Sequence, residues 1–173
     1  MNEKEFKKVK YEIEPIGWVD KDEDGKLIRV LPEFRPAMLE LEDYSHLQII
    51  WWAHLSDSSN QRKKLSTGKL FKKGPDKLGV FSTRSPVRPN PLMSSTIAVT
   101  KIDLKNGIIL MPFMDAEAGS PVLDIKPYQL MERVKDCRVP AWCAHWPQYY
   151  EDAAAFSWED EINMPDLQEQ KVI

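Results

Sequence analysis

Residues 79–95 read GVFSTRSPVRPNPLMSS, a composition that no ordinary helix or strand requires. Arg84 and Arg88 alternate there with Pro86, Pro89 and Pro91, and Asn90 sits between the last two. Each proline fixes its own φ and biases the preceding residue away from the helical region, so Ser85, Arg88 and Asn90 are drawn towards extended conformations. Prolines also lack an N–H, which leaves polar contacts to the other backbone groups, the guanidinium forks and the Asn90 amide, a group that both donates and accepts. The expectation is a stiff recognition loop between strands at 78–83 and 92–102. A rigid turn with solvated arginines is the competing reading; two arginines four residues apart beside a fixed amide favour a functional loop.

The charge distribution supports that view. The formal charge of −3 conceals a basic segment, 61–101, in which ten basic residues face the single acid Asp76, a net of +9 that leaves −12 for the remainder. Such a segment running into an Arg/Pro/Asn loop suits a phosphate-backbone substrate, because phosphate contacts supply affinity and position without reading sequence. Arg62, Lys63, Lys64, Lys69, Lys72 and Lys73 are the candidate nucleic-acid contacts, with a solvated lysine-rich loop as the alternative. The connection 56–75 is expected to be mobile in the free protein.

Residues 79–91 also resemble the hallmark of the TsaA-like, or TrmO, family of S-adenosylmethionine-dependent tRNA methyltransferases, approximately G-V-F-A-T-R-S-P-x-R-P-N-P-I-G-L-S. Two further blocks stand in the family's order. Leu41-Glu42-Asp43-Tyr44-Ser45-His46-Leu47 is similar to L-E-G-F-S-H-L, and Ser120-Pro121-Val122-Leu123-Asp124-Ile125-Lys126-Pro127-Tyr128 is similar to the end of D-G-T-P-V-L-D-I-K-P-Y. Leu92-Met93-Ser94-Ser95 replaces the family's I-G-L-S, and Ala118-Gly119-Ser120 replaces D-G-T. The resemblance implies a β-barrel methyltransferase unrelated to the doubly wound type, S-adenosylmethionine as cofactor, a homodimer, and N6 of the threonylcarbamoyl-modified adenosine at tRNA nucleotide 37 as acceptor. It points to Phe81, Arg84, Ser85, Pro86, Arg88, His46, Leu123, Asp124 and Lys126 as cofactor residues, and to Arg88, Asn90 and Asp124 as catalytic ones.

Methyl transfer needs a sulfonium donor and a nucleophile held in line with water excluded, so much of the catalysis is positioning. A sulfonium favours a carboxylate, carbonyl dipoles or an aromatic face. Asp124 is the expected carboxylate, either touching the cofactor or holding the loop arginines; a structural pair with Arg84 or Lys126 is the competing reading. Acylation makes the acceptor N6–H more acidic, which lessens the need for a strong base.

The 173 residues, 42% hydrophobic, suit one compact domain. Its expected parts are a charged N-terminal extension (1–11), a barrel (12–136) and an aromatic C-terminal segment (137–173) packed as a lid. Lys4, Glu5, Lys7, Lys8 and Lys10 precede no apolar run and no stretch approaches membrane-spanning length, so a cytoplasmic protein without a membrane partner is expected. Cys137 and Cys143 are too few for a disulfide framework, and with His145 they lack the spacing of the usual zinc knuckles, so no metal is expected.

A mainly β fold follows from the order of segments. Strands are expected at 12–19, interrupted by Pro15, at 27–31 after a turn at 22–25, and at 46–54, where even spacing would align His46, Gln48, Ile50, Trp52 and His54 on one face. Pro36 is expected to open a short helix over 37–41. Strands at 92–103 and 108–113 meet through Lys105-Asn106-Gly107, a tight hairpin signal. Sequential strands with short turns, without G-x-G-x-x-G or long alternating helices, favour a single closed or nearly closed antiparallel barrel. Trp142, His145, Trp146, Tyr149, Tyr150, Phe156 and Trp158 form the aromatic segment, expected to pack with one member near the site.

Overall fold

The structure is a computed structural model, and it describes residues 9–163 other than residue 24. Most of the charged N-terminal extension and the end of the C-terminal segment therefore lie outside the described residues. The strands in chain order are β1 (Gly17–Asp22), β2 (Gly25–Val30), β3 (His46–Trp52), β4 (Ser66–Thr67), β5 (Leu78–Gly79), β6 (Leu92–Ala98), β7 (Lys101–Asp103), β8 (Ile108–Met111) and β9 (Pro121–Pro127). The chain forms two compact units, one taking in residues up to His54 and Leu92–Gln129, the other Leu55–Pro91 and the chain from Leu130 onward.

The first unit is a seven-stranded antiparallel sheet in the order β6-β3-β9-β1-β2-β8-β7. In β3 the alternation of apolar and amphipathic residues buries Leu47, Ile49 and Trp51 and leaves His46, Gln48, Ile50 and Trp52 half-buried on the other face. Val19, Ile28, Val30, Met93, Ile97, Ile109, Met111 and Val122 complete the core around them.

A closed or nearly closed barrel was expected, but among the described residues the sheet does not close. The stretch anticipated as one strand over 92–103 divides at Val99 and Thr100: Val99 N donates to Ser45 O, ahead of β3, and Thr100 N donates to Leu110 O in β8. Its halves, β6 and β7, are consecutive in the chain and form the two edges of the sheet, and among the described residues no ladder joins them. Other local departures have equally local causes. The first strand starts after Pro15, at Gly17. Pro36 lies inside a 3-10 helix, Pro32–Met38, which Pro32 opens. His54 falls outside β3, in the 3-10 turn His54–Ser56, so it does not share the His46 face; its Nδ1 lies 3.3 Å from Oγ of the buried Ser120.

The Asn-Gly hairpin forms as its chemistry predicts. Asn106 N and Nδ2 both donate to the Asp103 carboxylate, which holds that acid below its usual range, and Gly107 turns with φ of 70°.

In the second unit, residues 56–75 are organised rather than unstructured. Ser58 and Gln61 form a capping box on a one-turn helix α1 (Ser59–Arg62), β4 pairs with β5, and Phe71 bridges to Ile162. Phe71 stacks on Trp142 at 4.9 Å, and Trp146, Trp158 and Phe156 continue the cluster edge to face. Trp142, Trp146, Phe156 and Trp158 thus pack with Phe71 and each other; a lid is not shown.

Gly17 tests the sheet. A Cβ there would strike the Arg29 carbonyl and lie 3.1 Å from Val30 Cα, backbone atoms that cannot swing aside. Gly17→Ala is expected to lose about 1–3 kcal/mol of stability, measured by chemical denaturation.

Candidate functional site

The loop 79–91 is built from side chains folding back on their own backbone. After β5 the chain makes a 3-10 turn at Val80–Ser82, with Val80 buried. Thr83 N and Oγ1 both donate to Val80 O, Ser85 N donates to Thr83 Oγ1, and Val87 N donates to Ser85 Oγ, so the hydroxyls tie successive turns. Arg88 closes the loop, its Nη2 donating to Thr83 O at 2.7 Å and to Val80 O at 3.0 Å. Its Nε is buried with no hydrogen-bond partner among the described residues.

Arg88 was expected to grip a ligand; in the structure one end of its guanidinium shapes the loop. Arg62, expected at an RNA phosphate, reaches the same loop from α1: Nε donates to Pro89 O at 2.9 Å, Nη2 to Asn90 Oδ1 at 3.1 Å and Nη1 to Asp57 Oδ1 at 3.0 Å. Pro91 beyond it is fully buried. Phe81, Arg84, Pro86 and Asn90 are exposed, while Ser85 is half-buried and engaged in the loop's own bonding.

The remaining cofactor candidates lie in the first unit, His46 on β3 and Leu123, Asp124 and Lys126 on β9. The β3/β9 register pairs Ile50 with Asp124 but Trp51 with Val122, which leaves Leu123 as the extra residue of a β-bulge. Strict alternation from the buried Val122 would aim Asp124 into the core. The bulge instead puts Asp124 opposite Ile50 and Lys126 opposite Gln48, on the half-buried face that also carries His46. Asp124 pairs with Lys126 Nζ at 2.6 Å, raising the lysine above its usual range, and also accepts from Ile125 N. His46 Nδ1 lies 2.9 Å from Ser45 Oγ, with the Tyr128 ring 6.5 Å away.

The basic candidates divide by their contacts. Lys72 Nζ donates to Glu159 O, Lys69 lies 3.4 Å from Asp76, and Lys73 joins Glu161. Lys63 and Lys64 are exposed and their ammonium groups make no ion pair among the described residues.

Sequence reasoning missed two polar clusters. Trp51 Nε1 donates to Ser95 Oγ, and Ser95 Oγ donates to Asp115, a chain joining residues far apart in sequence. Glu161, 4% exposed, has Oε1 2.7 Å from His145 Nε2 and 2.9 Å from Lys73 Nζ, and Oε2 accepts from Trp146 Nε1. Without a spacing motif, no sequence signal singles out Glu161 among the acids of this segment.

The model of the tRNA-methyltransferase O N-terminal domain matches residues 14–132. The chain belongs to that family. A probable S-adenosyl-L-methionine-binding protein of Pyrococcus horikoshii is 39% identical over 116 residues, covering 67% of this chain and 81% of the relative. The tRNA (adenine(37)-N6)-methyltransferase of Eikenella corrodens is 40% identical over 95 residues, 54% of this chain and 52% of that protein. Crystalline TrmO from Pseudomonas aeruginosa aligns with a TM-score of 0.60 at 25% identity, over 79% of this chain and 63% of the TrmO chain. The chain thus spans about half of the Eikenella enzyme and about two thirds of the Pseudomonas TrmO chain.

The Glu161 cluster yields a pH prediction. The bond from His145, then that from Lys73, with Trp146 adding, holds Glu161 at about 2 against an ordinary 4.5, although burial opposes this. A depressed carboxyl contributes stability in full above the unfolded value and loses it as pH falls towards the folded one. The stability gap between the protein and Glu161→Gln is therefore expected to be present just above about pH 4.5 and to close as pH falls towards 2. Tryptophan fluorescence in denaturant titrations at each pH reads it.

Proposed function

We propose that this protein is an S-adenosylmethionine-dependent methyltransferase acting on N6 of the threonylcarbamoyl-modified adenosine at position 37 of tRNA. The observation that carries the reading is the family match across residues 14–132, which takes in both the rigid loop and the bulged strand. The names of relatives, an S-adenosylmethionine-binding protein and tRNA (adenine(37)-N6)-methyltransferases, supply cofactor and acceptor.

The residues present fit such a cofactor. In the loop, the Asn90 amide nitrogen and Arg88 Nε are donors unused by the described protein, suited to an acceptor such as a carboxylate. Arg84 and Asn90 would bind that carboxylate, Phe81 would offer an exposed ring, and Ser85, Pro86 and Arg88 hold the loop's shape. Among the strand residues, Asp124 would favour positive charge, Lys126 would hold its carboxylate, and His46 and Leu123 would border that face. S-adenosylmethionine supplies the methyl group as the electrophilic carbon of a sulfonium. The protein's part is binding, orientation and exclusion of water. Acylation makes the acceptor N6–H more acidic, which lessens the need for a strong base.

Lys63 and Lys64 are the proposed phosphate contacts that the described structure leaves most available. A homodimer and a cytoplasmic location belong to the same reading through the resemblance; among the described residues no helix is long and apolar enough to cross a membrane.

Incubation with labelled cofactor and total tRNA should label one nucleoside, the N6-methylated form of the threonylcarbamoyl adenosine. Label in another nucleoside would redirect the acceptor, and cofactor binding without methyl release would make this a binding module. Asp124→Asn should keep the fold and lower turnover at least tenfold; unchanged kinetics would take Asp124 out of the chemistry. The double variant Lys63→Ala, Lys64→Ala should flatten the slope of log K against log salt for tRNA by about 0.7–0.9 per lost contact, with cofactor affinity held within about twofold.

A further inference from the structure

We propose that Arg62 is a positioning residue for the loop 79–91, which turns Asn90 into a fixed pair of N–H donors for a carboxylate and is not itself a phosphate contact. The carboxylate's identity, that of S-adenosylmethionine, rests on the methyl-transfer reading above; the positioning does not.

The argument starts with helix α1. Its capping box, in which Ser58 Oγ accepts from Gln61 N and Ser58 N donates to Gln61 Oε1, fixes the single turn that carries Arg62. From there all three guanidinium nitrogens are committed, to Pro89 O, Asn90 Oδ1 and Asp57 Oδ1, at 2.9 to 3.1 Å. Asp57 also offsets the positive charge. A guanidinium held in three directions, its charge offset by a carboxylate, is a poor phosphate contact, and its planar fork is what three separate acceptors need.

The consequence falls on Asn90. An asparagine amide can present either its oxygen or its nitrogen, but a guanidinium only donates, so the atom facing Arg62 Nη2 must be the oxygen. Both Nδ2 protons are then turned away from Arg62, on an exposed side chain with no bond from Nδ2 among the described residues. The backbone on either side is pinned, Pro89 by the Arg62 bond to its carbonyl and Pro91 by burial. A ligand with acceptor oxygens thus meets two donors whose orientation is already set, and binding need not supply that ordering.

The test begins without ligand. In ¹⁵N-labelled protein the Asn90 side-chain amide, assigned by its loss in Asn90→Asp, should move towards its free-chain position in Arg62→Lys, while the backbone spectrum stays folded. Arg62→Gln, which removes the charge, should leave the salt slope for tRNA unchanged, and Arg62→Lys should weaken S-adenosylmethionine binding about tenfold. Combined with Asn90→Ala, it should add nothing to the loss from Asn90→Ala alone, because it acts through that residue. Asn90→Asp, which keeps an acceptor for Arg62 and removes both donors, should lose cofactor affinity with its loop intact, and it carries the test if Arg62→Lys does not fold. An unmoved amide, additive losses, full affinity in Asn90→Asp, or a salt slope reduced by about one contact would each overturn the proposal. If the wild-type protein binds no S-adenosylmethionine while the amide still moves, the methyl-transfer reading fails and the positioning stands.

Discussion

Prolines 86, 89 and 91 remove backbone donors from a short stretch of chain, and the carbonyls around them must find other partners. Two guanidinium groups supply them. Arg88 bonds the Val80 and Thr83 carbonyls from within the loop, and Arg62 bonds the Pro89 carbonyl from α1. Hydrogen bonds from a charged donor contribute about 1.5–3 kcal/mol each, enough to keep one loop shape against the alternatives. The prolines restrict the backbone, and the arginines select among the conformations that remain. Arginine in this loop is thus first a substitute for the backbone amide. The side chains left outward, Phe81, Arg84 and Asn90, inherit a fixed frame.

The sheet solves a different problem, how to aim a carboxylate away from an apolar core. β3 and β9 share the buried row of Leu47, Ile49, Trp51 and Val122, and period-two alternation would send Asp124 into it. One extra residue, Leu123, shifts the phase of the strand. Asp124 and Lys126 then stand together on the outer row, where their ion pair meets solvent, while Ile125 packs against the core. A bulge that looks like an irregularity in the ladder is what allows a charged pair, Asp124 and Lys126, in a strand whose other residues are apolar.

In the second unit, distant segments are joined by one buried acid. Glu161 brings together Lys73, His145 and Trp146, and its backbone carbonyl accepts from Lys72 N, beside the stacked rings of Phe71 and Trp142. Two lysines that read as part of a basic surface are thereby drawn into structural roles. The positive segment keeps its charge, but its side chains are not equivalent: Lys63 and Lys64 project freely among the described residues while Lys72 and Lys73 are anchored.

The amino-acid sequence by itself determined the family, the β class, a strand beginning at His46, the Asn-Gly hairpin and the proline restrictions on the 79–91 loop, because each depends on neighbours a few residues apart. Period-two burial, the φ restrictions of proline and the turn chemistry of Asp103, Asn106 and Gly107 are local, and local causes can be read along a chain. Tertiary structure decided the rest. Whether 92–103 is one strand or two depended on which ladders its amides joined, and that break left the sheet open. The face of Asp124 depended on β3 choosing a register that skips Leu123. The roles of Arg62, Arg88 and Glu161 depended on acceptors and donors brought near by folding, since a guanidinium or a buried carboxylate responds to what lies within about 3 Å and not to its place in the sequence.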